Sequence, residues 1–182
     1  MRILIAYYTQ TGNTEQIARA IHKGISAAHA VTLVKNDALD TISFVDFDLV
    51  FFGSPCHAGT ISEPVRRVLT SLPDKLYFQL AGFITHASAA YSTSDYEQCM
   101  IYLDSFCKKK GITYHGCFEC QGKLAPQLHA FIQKSKKISD VEWNLMVSEM
   151  NEHPGADDEK NAMNFARDVI AQRDPGAIRS EE

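Results

Sequence analysis

The feature that most constrains this chain is a hydroxyl-rich stretch near its start, Tyr7–Thr14, with the sequence YYTQTGNT. It follows an apolar run, Ile3–Ala6, that is typical of a buried strand. It precedes a segment whose apolar residues recur at helical spacing. The stretch is therefore predicted to be a strand-to-helix turn closed by Gly12. Such a turn directs backbone N–H groups and the positive end of a helix dipole at one spot, which suits a phosphate.

The charge of this turn narrows the kind of phosphate it suits. It contains no Lys or Arg, and neither GxxxxGK[ST] nor GxGxxG occurs in it. The hydroxyls of Thr9, Thr11 and Thr14 are candidate donors. These residues favour a neutral site for a single phosphate, as in a mononucleotide. An ordinary strand-to-helix turn with a threonine cap fits the same spacing.

A longer pattern around the turn is similar to the FMN phosphate-loop signature of the flavodoxin family. It reads Ile5-x-Tyr7-x-Thr9-x-x-Gly12-x-Thr14-x-x-x-Ala18-x-x-Ile21. Ala6 departs from the signature, because a larger apolar residue is usual there; this affects strand packing more than phosphate binding. The resemblance implies FMN as cofactor, with the phosphate held by Thr9, Gln10, Thr11, Gly12, Asn13 and Thr14.

Length and composition bound the remaining possibilities. A chain of 182 residues that is 45% apolar suits a single domain, assigned here to residues 1–182. A net charge of −4 gives no indication of nucleic-acid binding. No signal-peptide or membrane-span pattern is present, so a cytoplasmic location and no membrane span are expected. The five cysteines are expected as free thiols.

Strand and helix patterns alternate along the chain, which predicts a parallel sheet covered on both faces. Strands are expected at about residues 2–8, 30–36, 48–53, 80–85 and 112–120, and helices at about 13–28, 62–71, 95–110 and 157–173. We therefore predict an α/β, flavodoxin-like three-layer sandwich with a five-stranded parallel sheet of order 2-1-3-4-5. Its ligand is expected outside the carboxyl ends of the strands.

The loop after the third strand resembles the flavodoxin loop that passes the edge of the isoalloxazine ring. Its residues are Ser54, Pro55, Cys56, His57, Ala58, Gly59 and Thr60. The resemblance implies that a peptide at Ala58 or Gly59 turns over when the flavin is reduced. His57 departs from the family, which often has an aromatic residue there. It is expected to stack on or hydrogen-bond the flavin, or else to be a solvated loop histidine.

For the loop after the fourth strand, the resemblance to flavodoxins implies that backbone N–H groups of Thr85, His86 and Ala87 bind the pyrimidine edge of the flavin. The same resemblance makes Tyr96 or Tyr91 the aromatic residue over the ring. Tyr96 also falls on the apolar face of the following helix, so it is equally compatible with a purely packing role.

Cys117 and Cys120 have dithiol spacing but lie late in a strand, where residues three apart face opposite sides. We interpret both as core thiols. A zinc site needs two more ligands at suitable spacing, so no metal site is predicted.

The segment at about 122–156 is longer than a usual strand-to-helix connection. Apolar spacing predicts two short helices, the second capped by Ser139 or Asp140 and carrying Trp143, the chain's one tryptophan. This insertion leaves the sheet at the flavin end. It is interpreted as a cover for the core, as a lid, or as a docking surface for a partner.

The leading functional hypothesis is electron transfer through non-covalent FMN, to redox partner proteins or to a small-molecule acceptor. A charge of −4 is mild for a flavodoxin carrier, which keeps a second hypothesis open: an FMN-dependent NAD(P)H or quinone oxidoreductase whose insertion shapes a substrate pocket. A third is a binding module that has lost the flavin. No catalytic residue or oligomeric state is assigned from the sequence.

Overall fold

The computed structural model describes residues 1–37, 42–88, 90 and 93–173, and it contains the predicted alternation of strands and helices. The strands are β1 Arg2–Tyr7, β2 Ala30–Lys35, β3 Leu49–His57, β4 Thr60–Ile61, β5 Gln79–His86 and β6 Tyr114–Gln121. The helices are α1 Asn13–Ile25, α2 Glu63–Ser71, α3 Thr93–Lys110, α4 His129–Lys136, α5 Asp140–Asn151 and α6 Ala156–Arg173.

The sheet has the order β2-β1-β3-β5-β6, and these strands are parallel. Because β5 and β6 are the fourth and fifth strands of the sequence analysis, the predicted flavodoxin-like order is confirmed. The two-residue strand β4, antiparallel to β3, was not predicted.

Two hydrophobic clusters pack on opposite faces of the sheet. The first joins Ile3 and Ile5 to residues of α1 and α6, including Ile17 and Ala166. The second joins the alternate residues of β1 to α2 and α3. The strands therefore need apolar side chains on both faces, and this explains their continuous hydrophobic runs. Cys120 lies in the first cluster and Cys117 packs against the second, as the strand alternation predicts.

The strand β3 is longer than predicted, which changes the interpretation of the residues after Gly53. Ser54–His57 continue the strand instead of forming a loop, and Ala58 and Gly59 form the two-residue turn into β4. Their φ angles are 50° and 75°, the left-handed pair that matches the twist of a two-residue hairpin. Pro55 lies within β3 opposite Thr85, at the end of its pairing with β5, so this proline did not end the strand.

Other boundaries differ by a few residues. Helix α1 ends at Ile25 instead of Ala28, where the N–H of Ser26 closes the last turn onto the carbonyl of His22. Ser62 occupies the cap position of α2, but its side chain makes no capping hydrogen bond. Pro175 and Gly176, which follow the last predicted helix in the sequence and would stop it, lie outside the described residues. No helix among the described residues is both long and apolar enough to span a membrane.

The insertion contains α4 and α5, where two short helices were predicted, preceded by a 3-10 turn at Pro126–Leu128. Ser139 caps α5 in a reciprocal pair of hydrogen bonds with Glu142, as expected for one of the two candidate caps. Leu124, Ile132, Trp143 and Met150 form a small core of their own between these helices and the sheet edge. Trp143 is 6% exposed, so this side chain is buried.

Candidate functional site

A cavity of about 480 Å³ opens at the carboxyl ends of β1, β3 and β5. It brings together the turn after β1, the β3–β4 hairpin, the end of β5 and the start of α3. The sequence-predicted residues that line it are Gln10, Thr11, Asn13, Pro55, Cys56, His57, Ala58, Thr85, His86, Ala87 and Tyr96. Its volume is within the range of small-molecule and cofactor sites.

The turn after β1 has the backbone geometry of an anion site. Gly12 precedes the first helical residue with φ of 89°, a left-handed conformation that favours glycine. Its N–H donates to Thr9 Oγ1 at 3.0 Å, which shapes the turn. The side chains of Gln10 and Thr11 are exposed and face the cavity. The N-terminal N–H groups of α1 therefore meet the cavity without a cation in the turn itself.

Thr14 lies behind the turn. Its hydroxyl lies 2.8 Å from that of Thr85, and both side chains are buried. This hydrogen bond joins α1 to β5 behind the turn. Thr9, Gly12 and Thr14 do not contribute to the cavity wall in this structure, because the first two shape the backbone and the third faces the core.

The β3–β4 hairpin contributes Pro55, Cys56, His57 and Ala58 to the cavity, whereas Ser54 faces away from it. Ser54 is buried; its Oγ donates to Ser62 Oγ at 3.0 Å and accepts from the Ser62 N–H at 2.8 Å. Gly59 and Thr60 also lie outside the wall. These three residues belong to the hairpin or pack behind it, and their contacts with the flavin stay predictions.

The hairpin holds two titratable side chains at the cavity. A hydrogen bond with the Cys99 thiol lowers the pKa of Cys56. Burial alone would raise this pKa, and backbone hydrogen bonds from Gly59 and Thr60 lower it further. Burial lowers the pKa of His57, which favours the neutral imidazole at pH 7. The His57 ring meets the Tyr8 ring edge-on, with 6.4 Å between centroids.

Tyr96 stacks on His86, with ring centroids 4.1 Å apart and planes inclined by 14°. His86 Nε2 lies 2.5 Å from Glu119 Oε2, and the N–H of Ser88 donates to His86 Nδ1 at 3.3 Å. Because Nδ1 accepts, Nε2 carries the proton toward the carboxylate. Burial and the charge of Glu119 raise the pKa of Tyr96. One face of Tyr96 is therefore occupied, and a flavin ring stacked on it has to use the other; Tyr91 lies outside the described residues.

Comparison of the chain with known protein families identifies the family of the protein that forms this cavity. A family model described as a flavodoxin domain matches residues 4–167, nearly the whole chain. The chain belongs to the flavodoxin family.

Individual relatives of this flavodoxin-family protein are distant in sequence. The flavodoxin-like domain-containing protein BilS of Clostridioides difficile (strain CD3) is 26% identical over 176 residues, which cover 93% of this chain and 97% of that protein. Oxidised flavodoxin 2 from Bacillus cereus is 17% identical with a TM-score of 0.65, over 94% of this chain and 99% of that one. A flavoprotein from Lactobacillus acidophilus NCFM, solved in complex with FMN, is 19% identical with a TM-score of 0.50, over 65% and 92%.

FMN is the cofactor of this flavodoxin-family chain, and its residues fit the group. A single phosphate matches a neutral turn with a left-handed glycine before a helix N-terminus. A planar ring matches a cavity that has Tyr96 and Tyr8 among its lining residues and Pro55 and Ala58 at the hairpin.

The insertion also lines the cavity, which the sequence analysis did not predict residue by residue. The residues missed are Tyr8, Ser88, Asp95, Lys123, Leu124, Ala125, Gln127 and Leu128. Asn13 Nδ2 donates to the carbonyl of Lys123 at 2.9 Å, and this bond ties the insertion to the start of α1. For the five missed residues within 122–128, the available signal was their position directly after a strand that ends at the ligand edge.

Proposed function

We propose that this flavodoxin-family protein transfers electrons through non-covalently bound FMN. The observation that carries the proposal is the meeting of the turn after β1, the β3–β4 hairpin and the end of β5 around one cavity. FMN supplies the redox chemistry when bound, and the protein binds it, orients it and tunes its potential.

The phosphate end of the proposed site is the turn. Thr11 donates its hydroxyl, and Gln10 and Asn13 donate backbone N–H groups to the phosphate. Thr9 acts by shaping the turn through its bond to Gly12. Thr14 acts indirectly, because its bond to Thr85 anchors the helix whose N-terminus faces the phosphate.

The ring end of the proposed site is formed by Pro55–Ala58, Thr85–Ala87 and Tyr96. Asp95 adds a carboxylate to this end: its Oδ1 lies 3.6 Å from the place where a Cβ on Gly59 would be. The carboxylate of Asp95 near the ring disfavours added negative charge on the flavin. We therefore expect a lower potential for the bound flavin than for free FMN.

An FMN-dependent NAD(P)H or quinone oxidoreductase is the second candidate function. It is favoured by Leu124, Ala125 and Leu128, apolar insertion residues that line the same cavity. An electron carrier needs only an exposed ring edge, whereas a reductase needs an apolar wall against which a planar substrate can lie.

The absorbance spectrum of the purified protein tests both functions together, because a protein without flavin bands fails each of them. An anaerobic reductive titration with a one-electron dye then tests electron transfer. Steady-state oxidation of NAD(P)H with a quinone tests the reductase, and turnover well above that of free FMN supports it.

A pair of leucine variants sharpens this distinction. Leu128→Ala changes the cavity wall, whereas Leu145→Ala alters an exposed residue of α5 outside it. A reductase should lose quinone turnover in the first variant and not in the second. A carrier should exchange electrons with the dye equally well in both.

A further inference from the structure

The turn after β1 meets the proposed phosphate without a cationic side chain of its own. The proposed FMN phosphate carries nearly two negative charges, and the turn offers N–H groups, hydroxyls and a helix dipole but no full positive charge. The nearest acid on α1, Glu15, is paired with Arg19 at 2.6 Å, so this arginine already has a carboxylate partner. A cation from a second element would add a charge-assisted hydrogen bond to those that the turn provides.

The insertion begins against this turn. The N–H of Gly122 donates to the carbonyl of His86 at 2.7 Å, and Asn13 Nδ2 donates to the carbonyl of Lys123 at 2.9 Å. A Cβ on Gly122 would lie 2.5 Å from Asn13 Nδ2, so the Asn13 side chain packs closely against the backbone of Gly122. These contacts hold Lys123 beside the first residue of α1.

Lys123 lines two adjoining cavities. It contributes to the flavin cavity and to a second cavity of about 280 Å³, and Gln10 and Thr11 of the turn line both as well. Lys123 therefore shares both cavities with the two exposed residues of the turn. Within the part of the chain that the structure describes, no carboxylate pairs with the Lys123 ammonium.

We propose that Lys123 is a phosphate-binding residue, which supplies from the insertion the positive charge that the turn lacks. The inference rests on the proposed FMN site and extends it: the insertion becomes part of the cofactor site as well as a cover for the core. Lys123 would also increase the preference of the protein for FMN over riboflavin beyond what the neutral turn provides.

Flavin titrations of the apoprotein test this role. FMN and riboflavin affinities are measured by fluorescence quenching for the wild type, Lys123→Gln and Lys123→Arg, at low and high sodium chloride. Lys134→Gln is the matched control, since Lys134 is an exposed lysine of the same insertion that lines neither cavity. Thermal unfolding of each apoprotein checks that the substitutions leave the fold intact.

We expect Lys123→Gln to weaken FMN binding roughly 5- to 20-fold at low salt, as for loss of one exposed charge-assisted contact. Riboflavin binding should not change, and the salt dependence of FMN binding should decrease. Lys123→Arg should retain most of the affinity, and Lys134→Gln should match the wild type.

The outcomes separate this inference from the proposed function. A wild type that binds FMN in preference to riboflavin, with Lys123→Gln unchanged, would overturn the role of Lys123 alone. Equal losses of FMN and riboflavin in Lys123→Gln would also overturn it, because the effect would then be structural. A wild type that binds neither flavin would overturn both the inference and the FMN site.

Discussion

Replacement of Trp143 by alanine tests whether the insertion is an integral part of the fold. Trp143 is 6% exposed and packs in one cluster with Ile132, Met150 and Leu124. Its ring also meets that of His129 edge-on at 5.5 Å between centroids. Leu124 lines the flavin cavity, so the same cluster supports the cavity wall.

The expected magnitude follows from the buried area. A buried Trp side chain removes roughly 200 Å² from water, which at about 25 cal/mol per Å² corresponds to about 5 kcal/mol. Residual compactness of the unfolded chain reduces this to about 3–4 kcal/mol. Truncation of buried aromatic residues to alanine commonly costs about 3–5 kcal/mol, in agreement with the area.

Urea unfolding followed by far-UV circular dichroism measures the change, since the variant has no tryptophan fluorescence. The matched control is Val141→Ala on the same helix; Val141 is 72% exposed, and a change within about 0.5 kcal/mol is expected. In the wild type, the buried ring should give blue-shifted emission that a partner or substrate does not alter.

A Trp143→Ala variant that loses less than about 1 kcal/mol would refute the packing argument, because such a loss is too small for a buried Trp. Unchanged rates of flavin reduction and reoxidation in that variant would also show that this cluster does not support the cavity wall. If the variant unfolds in two separate steps, the insertion does not unfold cooperatively with the sheet.

Four further predictions concern the cavity. Thr11→Ala should weaken FMN binding by about 1–3 kcal/mol and leave riboflavin binding unchanged, since it removes one hydrogen bond to a charged acceptor; equal losses for the two ligands would contradict this. Tyr96→Ala should brighten flavin fluorescence and raise the second-electron potential, whereas Tyr96→Phe should do much less; an unaltered spectrum and potential in the alanine variant would exclude stacking. Burial lowers the pKa of His57 in the folded protein, so the contribution of His57 to stability is present above about pH 6.5 and is lost as the pH falls toward the folded pKa. The His57→Gln apoprotein should therefore lose less stability than the wild type between pH 7 and 5. Parallel stability profiles of the two proteins over this pH range would refute the lowered pKa. Iodoacetamide should alkylate Cys56 before Cys107, because hydrogen bonding lowers the pKa of the first thiol and burial raises that of the second to about 12; peptide mass mapping that finds Cys107 first would contradict it.

The order of the sheet and the place of its ligand edge were predictable from the sequence. Apolar runs and helical spacing depend on which face of an element is buried, and that information is local. The turn around Gly12 was also predictable, because a left-handed residue before a helix has a strong preference for glycine. The two helices within the insertion follow from the same local periodicity and from the Ser139 cap.

The partners of individual side chains were decided by tertiary structure. The Thr14–Thr85 bond joins residues 71 positions apart, and the Asn13–Lys123 bond joins residues 110 positions apart. Tyr96 turns one face to His86, whose orientation depends on Glu119 in a neighbouring strand. Local spacing cannot encode these choices, because each depends on which of several hydroxyls, rings or charges the folded sheet brings within hydrogen-bonding distance. The sequence by itself therefore determined the type of fold and the sheet edge at which the cavity opens, and packing of distant segments determined which side chains line that cavity.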